Sequence, residues 1–127
     1  MSVPEITKPN HKITVNLDGK DKQVLMSFGL LNVLMTYVQN PMDVLGLPLD
    51  AELTQTLISE CLAERNHEGV LSAYPNLFTL NPDDGEKLVL WLVDHLSYFF
   101  VQTLSQQPER LKALATALTS QTFGQNG

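Results

Sequence analysis

Between Lys12 and Leu17 apolar and polar side chains alternate, Ile13, Val15 and Leu17 against Lys12, Thr14 and Asn16. A period of two belongs to a half-buried strand with one wet face. Asp18-Gly19 follows, a dipeptide that tolerates positive φ in a tight hairpin turn. Gln23 to Met26 is expected to return as the second strand, with Lys20, Asp21 and Lys22 at its exposed tip. A two-stranded hairpin is marginal alone, so it must pack on the rest of the chain or extend another subunit's sheet.

The period then lengthens. Ser27 is a good N-cap, and Phe28, Leu31, Leu34 and Val38 recur at three- and four-residue steps along one helical face. Asn40-Pro41 ends that helix and caps a single turn closed by Gly46. Asp50 caps a third helical element, Ala51 to about Arg65. Its buried stripe is Leu53, Leu57, Ile58, Cys61 and Leu62, and Glu52, Gln55, Glu60 and Glu64 are expected to face water. Asn66 to Asn81 reads as a loop with a helical turn, packed down by Tyr74, Leu77, Phe78 and Leu80; a short strand at Leu77–Leu80 is the other reading. Asn81-Pro82-Asp83-Asp84 is a strong helix start, with two acids at the positive end of the dipole. That helix is expected to reach about Gln106, and Pro108 to open a separate last helix with the stripe Leu111, Leu114, Ala115 and Leu118.

These elements give a mainly α fold with a short N-terminal β-hairpin (α+β), four to five helices around one core. Residues 1–10, with Pro4 and Pro9 and no period, are expected to form a flexible arm. Residues 11–119 make a single domain and residues 120–127 a frayed tail. The helix from Pro82 is apolar over most of its girth: Leu88, Trp91, Leu92, His95, Leu96 and Phe99 on one side, Val89, Val93, Phe100 and Leu104 on another. Such a helix must be covered from two directions, and in a chain of 127 residues one cover can be a neighbouring subunit.

Composition narrows the chemistry. The formal net charge is −6, and the eight Lys and Arg are spread along the chain. Such a surface repels phosphate backbones and anionic lipid heads, so neither nucleic acid nor a membrane is an expected partner. The apolar run Leu88 to Val101 holds Asp94 and His95 and falls short of the ~20 residues of a bilayer span. The single Cys61 allows no internal disulfide, and the N-terminus lacks a signal peptide's apolar core, which fits the cytoplasm.

Reactive constellations are scarce. His11, His67 and His95 fall on different segments. Glu60, Glu64 and His67 at i, i+4 and i+7 read as a solvated face rather than a metal site. Asp94 and His95 are adjacent and point about 100° apart on a helix, so they form no dyad. His95 reads as a core or interface histidine, with a catalytic or pH-sensing role the lesser alternative. Cys61 sits on an apolar stripe, where a thiol is inert. No phosphate loop, nucleophile elbow or zinc-protease motif is present. No enzymatic activity, cofactor or metal is expected. The aromatic positions Trp91, His95, Tyr98, Phe99, Phe100 and Phe28 are the candidate protein-binding residues, because interface energy concentrates in charge-poor aromatic surface.

The run ITVNLDGKDKQVLMSFGLLNVLMTYVQNP, residues 13–41, resembles the opening of the tail assembly chaperones of long-tailed (siphovirus-type) bacteriophages. There, a strand, a charged turn, a second strand and a phenylalanine-glycine-x-leucine-x-x-leucine helix start recur. Phe28-Gly29, Leu31 and Leu34 occupy those places here, and the resemblance spans roughly residues 1–65. It implies a small acidic helical protein without catalytic activity. Such a protein binds the tape measure protein and keeps it soluble in the host cytoplasm during tail assembly, and it often self-associates as a homo-oligomer. The alternative is a small regulatory or structural interaction subunit that dimerises through its long C-terminal helix. An enzyme or small-ligand binder with a pocket at His95, Asp94 and Tyr98 is the third reading.

Overall fold

A computed structural model describes the backbone of residues 7–126 and the side chains of residues 7–119. About 61% of the chain is helical, and a two-stranded hairpin opens it, so the mainly α (α+β) fold class holds. Strands β1 (Lys12–Leu17) and β2 (Lys20–Leu25) lead into α1 (Phe28–Met35), α2 (Pro41–Leu45) and α3 (Ala51–Leu62). Two short strands, β3 (Glu64–Arg65) and β4 (Leu71–Ala73), and a 3-10 turn at Leu77–Thr79 precede the long helix α4 (Pro82–Asn126).

The β1–β2 ladder is antiparallel, running from Lys12 opposite Leu25 to Leu17 opposite Lys20. Asp18 and Gly19 both take positive φ, 56° and 73°, as a two-residue hairpin turn twisted to match its strands requires. Val15 and Val24 are buried, and Ile13 and Leu17 pack against the core from the same face. Lys22 lies opposite Val15 on that face, so it is not part of an exposed tip. Its stem is half-buried and its Nζ donates to the Leu62 carbonyl, closing the C-terminal end of α3.

Local capping chemistry sets the helix starts. Ser27 accepts from Leu30 N at 3.1 Å, Asn40 from Met42 N at 2.9 Å and Asp50 from Leu53 N at 3.0 Å. Asn81 accepts from Asp83 N and Asp84 N at the head of α4. That head is stitched to the hairpin. Asp84 Oδ2 accepts from Asn16 N at 2.7 Å, Asn81 N donates to Asn16 O, and Asp18 N donates to Thr79 O. The core lies between α4 and everything else, with Leu34, Leu47, Leu57, Leu62, Leu88, Leu92 and Leu96 fully enclosed.

The helical turn expected in the loop before α4 is present, at Leu77–Thr79, and other expectations are corrected. Helix α3 stops at Leu62, because Ala63 is extended and Glu64–Arg65 pairs with Leu71–Ala73 around Gly69 at φ 84°. The Asn66–Asn81 aromatics are not packed down: Phe78 is 101% exposed and Tyr74 more than half exposed. Leu77–Thr79 is a 3-10 turn, from which Leu80 bridges to Leu17. Pro108 opens no new helix. It lies inside α4, whose backbone is helical through Asn126 and so across most of the expected frayed tail. Of the expected arm, residues 1–6 lie outside the described ones, and Asn10 is firmly held.

From Leu104 to Thr119 every residue of α4 is exposed. By length and composition Pro82–Thr119 is a candidate bilayer span, with a stretch of mean hydropathy 1.2, longer than the apolar run Leu88 to Val101 on which the sequence argues against one. The buried residues of α4, Leu88, Trp91, Leu92, His95 and Leu96, belong to the domain core.

Because Pro108 removes one backbone donor inside α4, Pro108→Ala is expected to strengthen the helix there. Slower amide exchange over residues 104–112 is the readout, with a gain of up to about 3 kcal/mol in local helix stability. Leu92→Ala, in contrast, is expected to cost the whole domain about 3 kcal/mol in a denaturant titration.

Candidate functional site

The six aromatic and histidine candidates divide into three groups. Trp91 and His95, one turn apart on α4, are buried, with ring centroids 4.6 Å apart and edge-to-face. Both reach the Asn10 carbonyl: Trp91 Nε1 donates at 2.6 Å, and His95 Nε2 lies 2.8 Å away. A carbonyl oxygen can only accept, so His95 carries its proton on Nε2 in this arrangement. These two side chains therefore clasp the end of the N-terminal segment. Tyr98, Phe99 and Phe100 are half-buried, and Phe99 and Phe100 meet edge-to-face at 5.9 Å. Phe28, the first residue of α1, is 79% exposed.

Other large apolar side chains add to that surface, among them Leu104 and the predicted stripe of Leu111, Leu114 and Leu118. Leu49 is 93% exposed, and Met42 and Leu45 on α2 are also well exposed. Leu90, Leu104, Leu111, Leu114 and Leu118 on α4 are each 55–60% exposed.

A second constellation was not anticipated. Glu60, expected to face water, is only 5% exposed. Its Oε1 accepts from the Tyr74 hydroxyl at 2.8 Å and the Tyr37 hydroxyl at 3.2 Å, and its Oε2 meets Arg65 at 2.6 Å. Arg65 also donates to the Gly69 carbonyl. The cluster ties the end of α1 to α3, to β3 and to the segment after β4. One sequence signal could have exposed it: Glu60 follows Leu57 by three residues and abuts Cys61, which puts it on the flank of the buried stripe. Its partners lie 23 residues before it and 14 residues after it, beyond the reach of any local pattern.

The electrostatics follow from that carboxylate. Its negative charge, then the hydrogen bond to it, then burial raise the Tyr37 hydroxyl above its ordinary 10.0, with Arg65 opposing. For Tyr74 the hydrogen bond to Glu60 leads, followed by burial and the Glu60 charge. Burial, with the Glu60 charge second, pushes the Cys61 thiol up to about 12, so it stays protonated and unreactive at neutral pH. Among the described residues no buried side-chain nitrogen or oxygen lacks a partner, and no group of three or more His, Cys, Asp or Glu can hold a metal ion.

Two clefts flank these groups. One of about 830 Å³ lies between the β1–β2 turn and Tyr74–Asn76, lined by Asp18, Lys20, Asp21 and Glu64 among others. A smaller one of about 260 Å³ lies between the start of α1 and Ala63–Arg65. Neither reaches His95, Asp94 or Tyr98. No family model, curated protein or solved structure is significantly similar to this chain.

Removing residues 1–10 is expected to leave Trp91 Nε1 without its carbonyl. As the only tryptophan, it reports the change as a red shift of fluorescence emission. The Glu60 cluster predicts pH behaviour. Both tyrosines bind their protons more tightly folded than unfolded. Their contribution is complete below about pH 10 and is lost as pH rises through their folded values. Glu60→Gln is expected to bring two tyrosines back toward 10 in an ultraviolet titration and to flatten that alkaline loss. Glu60→Ala is expected to destabilise the fold by about 2–3 kcal/mol at neutral pH.

Proposed function

We propose that this chain is a non-enzymatic tail assembly chaperone of a long-tailed bacteriophage, which binds the tape measure protein and keeps it soluble in the host cytoplasm. The observation that carries this reading is the amount of large apolar side chain left in water. Phe28, Met42, Leu45, Leu49 and Phe78 stand out from four separate elements of a small domain whose core is already closed. Scattered apolar residues are ordinary on a protein surface, but ones this large and this exposed are what a binding face supplies.

The resemblance over residues 13–41 supports the same reading, since that run folds as hairpin β1–β2, the Ser27 cap and α1. A long helical client presents apolar stripes at three- and four-residue spacing, which exposed side chains on short helices can cover. The net charge of −6 keeps the complex dispersed while the oily surfaces are shielded. Trp91 and His95 act in this reading through the arm they hold, and Phe28 with the Tyr98–Phe100 segment contacts the client.

A second reading, a small regulatory or structural subunit that dimerises through its C-terminal helix, is favoured by the length of α4 beyond the core. The two readings separate in one experiment. The chain is co-expressed with a tape measure protein of a long-tailed phage, and the client's soluble fraction is measured. The chaperone reading expects a client that is insoluble alone and soluble with the chain. Phe28→Glu, which leaves the core untouched, should weaken binding roughly tenfold. A client equally insoluble with and without the chain would end this reading.

A further inference from the structure

We infer that the free edge of β2 is a docking site for an extended, basic segment of another protein, which pairs with that strand in the groove between the two hairpins. In an antiparallel ladder, successive residues turn their backbone groups alternately toward the partner strand and away from it. Leu17 lies opposite Lys20 across a two-residue turn, so Lys20, Lys22 and Val24 exchange bonds with β1. Asp21 and Gln23 therefore aim their N–H and C=O groups outward, and among the described residues these groups have no protein partner. The opposite edge of the hairpin is closed. Asn16 N donates to Asp84, Asn16 O accepts from Asn81 N, and Leu17 bridges to Leu80.

The open edge faces a built space. Asp21 and Gln23 line the cleft of about 830 Å³, whose other side is Glu64 with Ala73, Tyr74, Pro75 and Asn76. Leu17, Leu62 and Tyr74 contribute its apolar lining. An extended segment lying there completes the outward groups of β2 with its own backbone, the mode by which sheet edges take up peptides. Charged residues that face inward from an edge strand ordinarily discourage such pairing. Lys22, the inward residue between Asp21 and Gln23, directs its ammonium group to the Leu62 carbonyl and so leaves the edge unguarded.

Charge identifies the occupant. Asp18, Asp21 and Glu64 line the groove, and among the described residues none of the three has an ion-pair partner. Against them stand Lys20 and Lys22, and the Lys22 charge sits at the C-terminal end of α3, where the helix dipole offsets it. The chain as a whole carries −6. A basic segment is drawn toward this groove, and an acidic molecule, a second copy of this chain included, is turned away. The side chains of an added strand alternate between two faces. Those beside Asp21 and Gln23 are lysine or arginine; those on the face of Lys20 and Lys22 are apolar, against Leu17 and Leu62.

This edge is independent of the client proposed above, and its failure leaves that reading intact. The probe is a fluorescein-labelled peptide of alternating valine and lysine, six residues long by design to match β2, titrated against the full chain by anisotropy. It is expected to bind with a dissociation constant of about 100 µM or tighter and to slow amide exchange at Asp21 and Gln23. The lysines of the bound peptide lie opposite those two residues, so N-methylation of the lysines should weaken binding at least about tenfold, and N-methylation of the valines much less. Gln23→Pro removes a donor that faces the groove and is tolerated on an edge strand, and Asp21→Lys reverses a charge; each should cost about tenfold while the domain keeps its cooperative melt. Equal binding of a valine-glutamate peptide, indifference to methylated lysines, or no binding at about 1 mM would each overturn the proposal. A dimer that protects the same two amides without peptide would give the edge to a second copy and overturn it equally.

Discussion

The structure depends on one stripe of leucines. Leu88, Leu92 and Leu96 recur every four residues along α4 and are fully enclosed. The hairpin, α2, the 3-10 turn after it and α3 all pack against this helix. Burying each leucine is worth about 1.5–3 kcal/mol, whereas a two-stranded hairpin by itself is barely stable. The hairpin is held because the helix supplies it with an apolar floor. It is registered because polar groups lock both of its ends. At the turn end, Asp84 and Asn81 bond to Asn16; at the other, Trp91 and His95 hold the carbonyl of Asn10. Apolar burial provides the energy, and hydrogen bonds choose the position.

What could be read from the sequence is what local chemistry decides. The four caps at Ser27, Asn40, Asp50 and Asn81 act on backbone donors within three residues, and all four stand where their residue types place them. The Asp18-Gly19 turn is legible for the same reason. The features that escaped depend on distant partners or on weak competition. Glu60 looks like any solvent-facing glutamate until Tyr37, Arg65 and Tyr74 are brought around it. The two-residue strand β3 carries too few positions to show a period. Pro108 is a helix breaker by propensity, but as one interruption in 45 residues it is outweighed by the turns on either side. The candidate aromatics were legible as apolar, but not as to destination. Only the Asn10 carbonyl, 81 and 85 residues away, turns Trp91 and His95 into a clasp.

The Glu60 cluster and the leucine stripe solve different problems. A buried carboxylate is costly unless its oxygens are satisfied, and here three donors from three segments converge on it. Such a network adds little net energy compared with an apolar core. It does specify how the second hairpin and the Tyr74 segment lie against α1 and α3, where few apolar contacts would do so. It also surrounds Cys61 with burial and negative charge, which removes the one thiol from redox chemistry.

Stability along α4 is correspondingly uneven. Its first half shares the cooperativity of the domain, because unfolding it would expose the leucine stripe. In its second half every residue from Leu104 to Thr119 is exposed, so that stretch draws little support from the core and opens more readily than the first half. Any surface that covers Leu104, Leu111 and Leu114 therefore does two things at once: it buries apolar area and it orders the helix that presents that area. The ordering cost is subtracted from the affinity, so pairing along this face is weaker than its area suggests and steeply sensitive to each leucine. That coupling makes the distal helix an adjustable element on a rigid base. Its order reports whether the face is covered, while the clasp, the caps and the Glu60 network keep the domain itself unchanged.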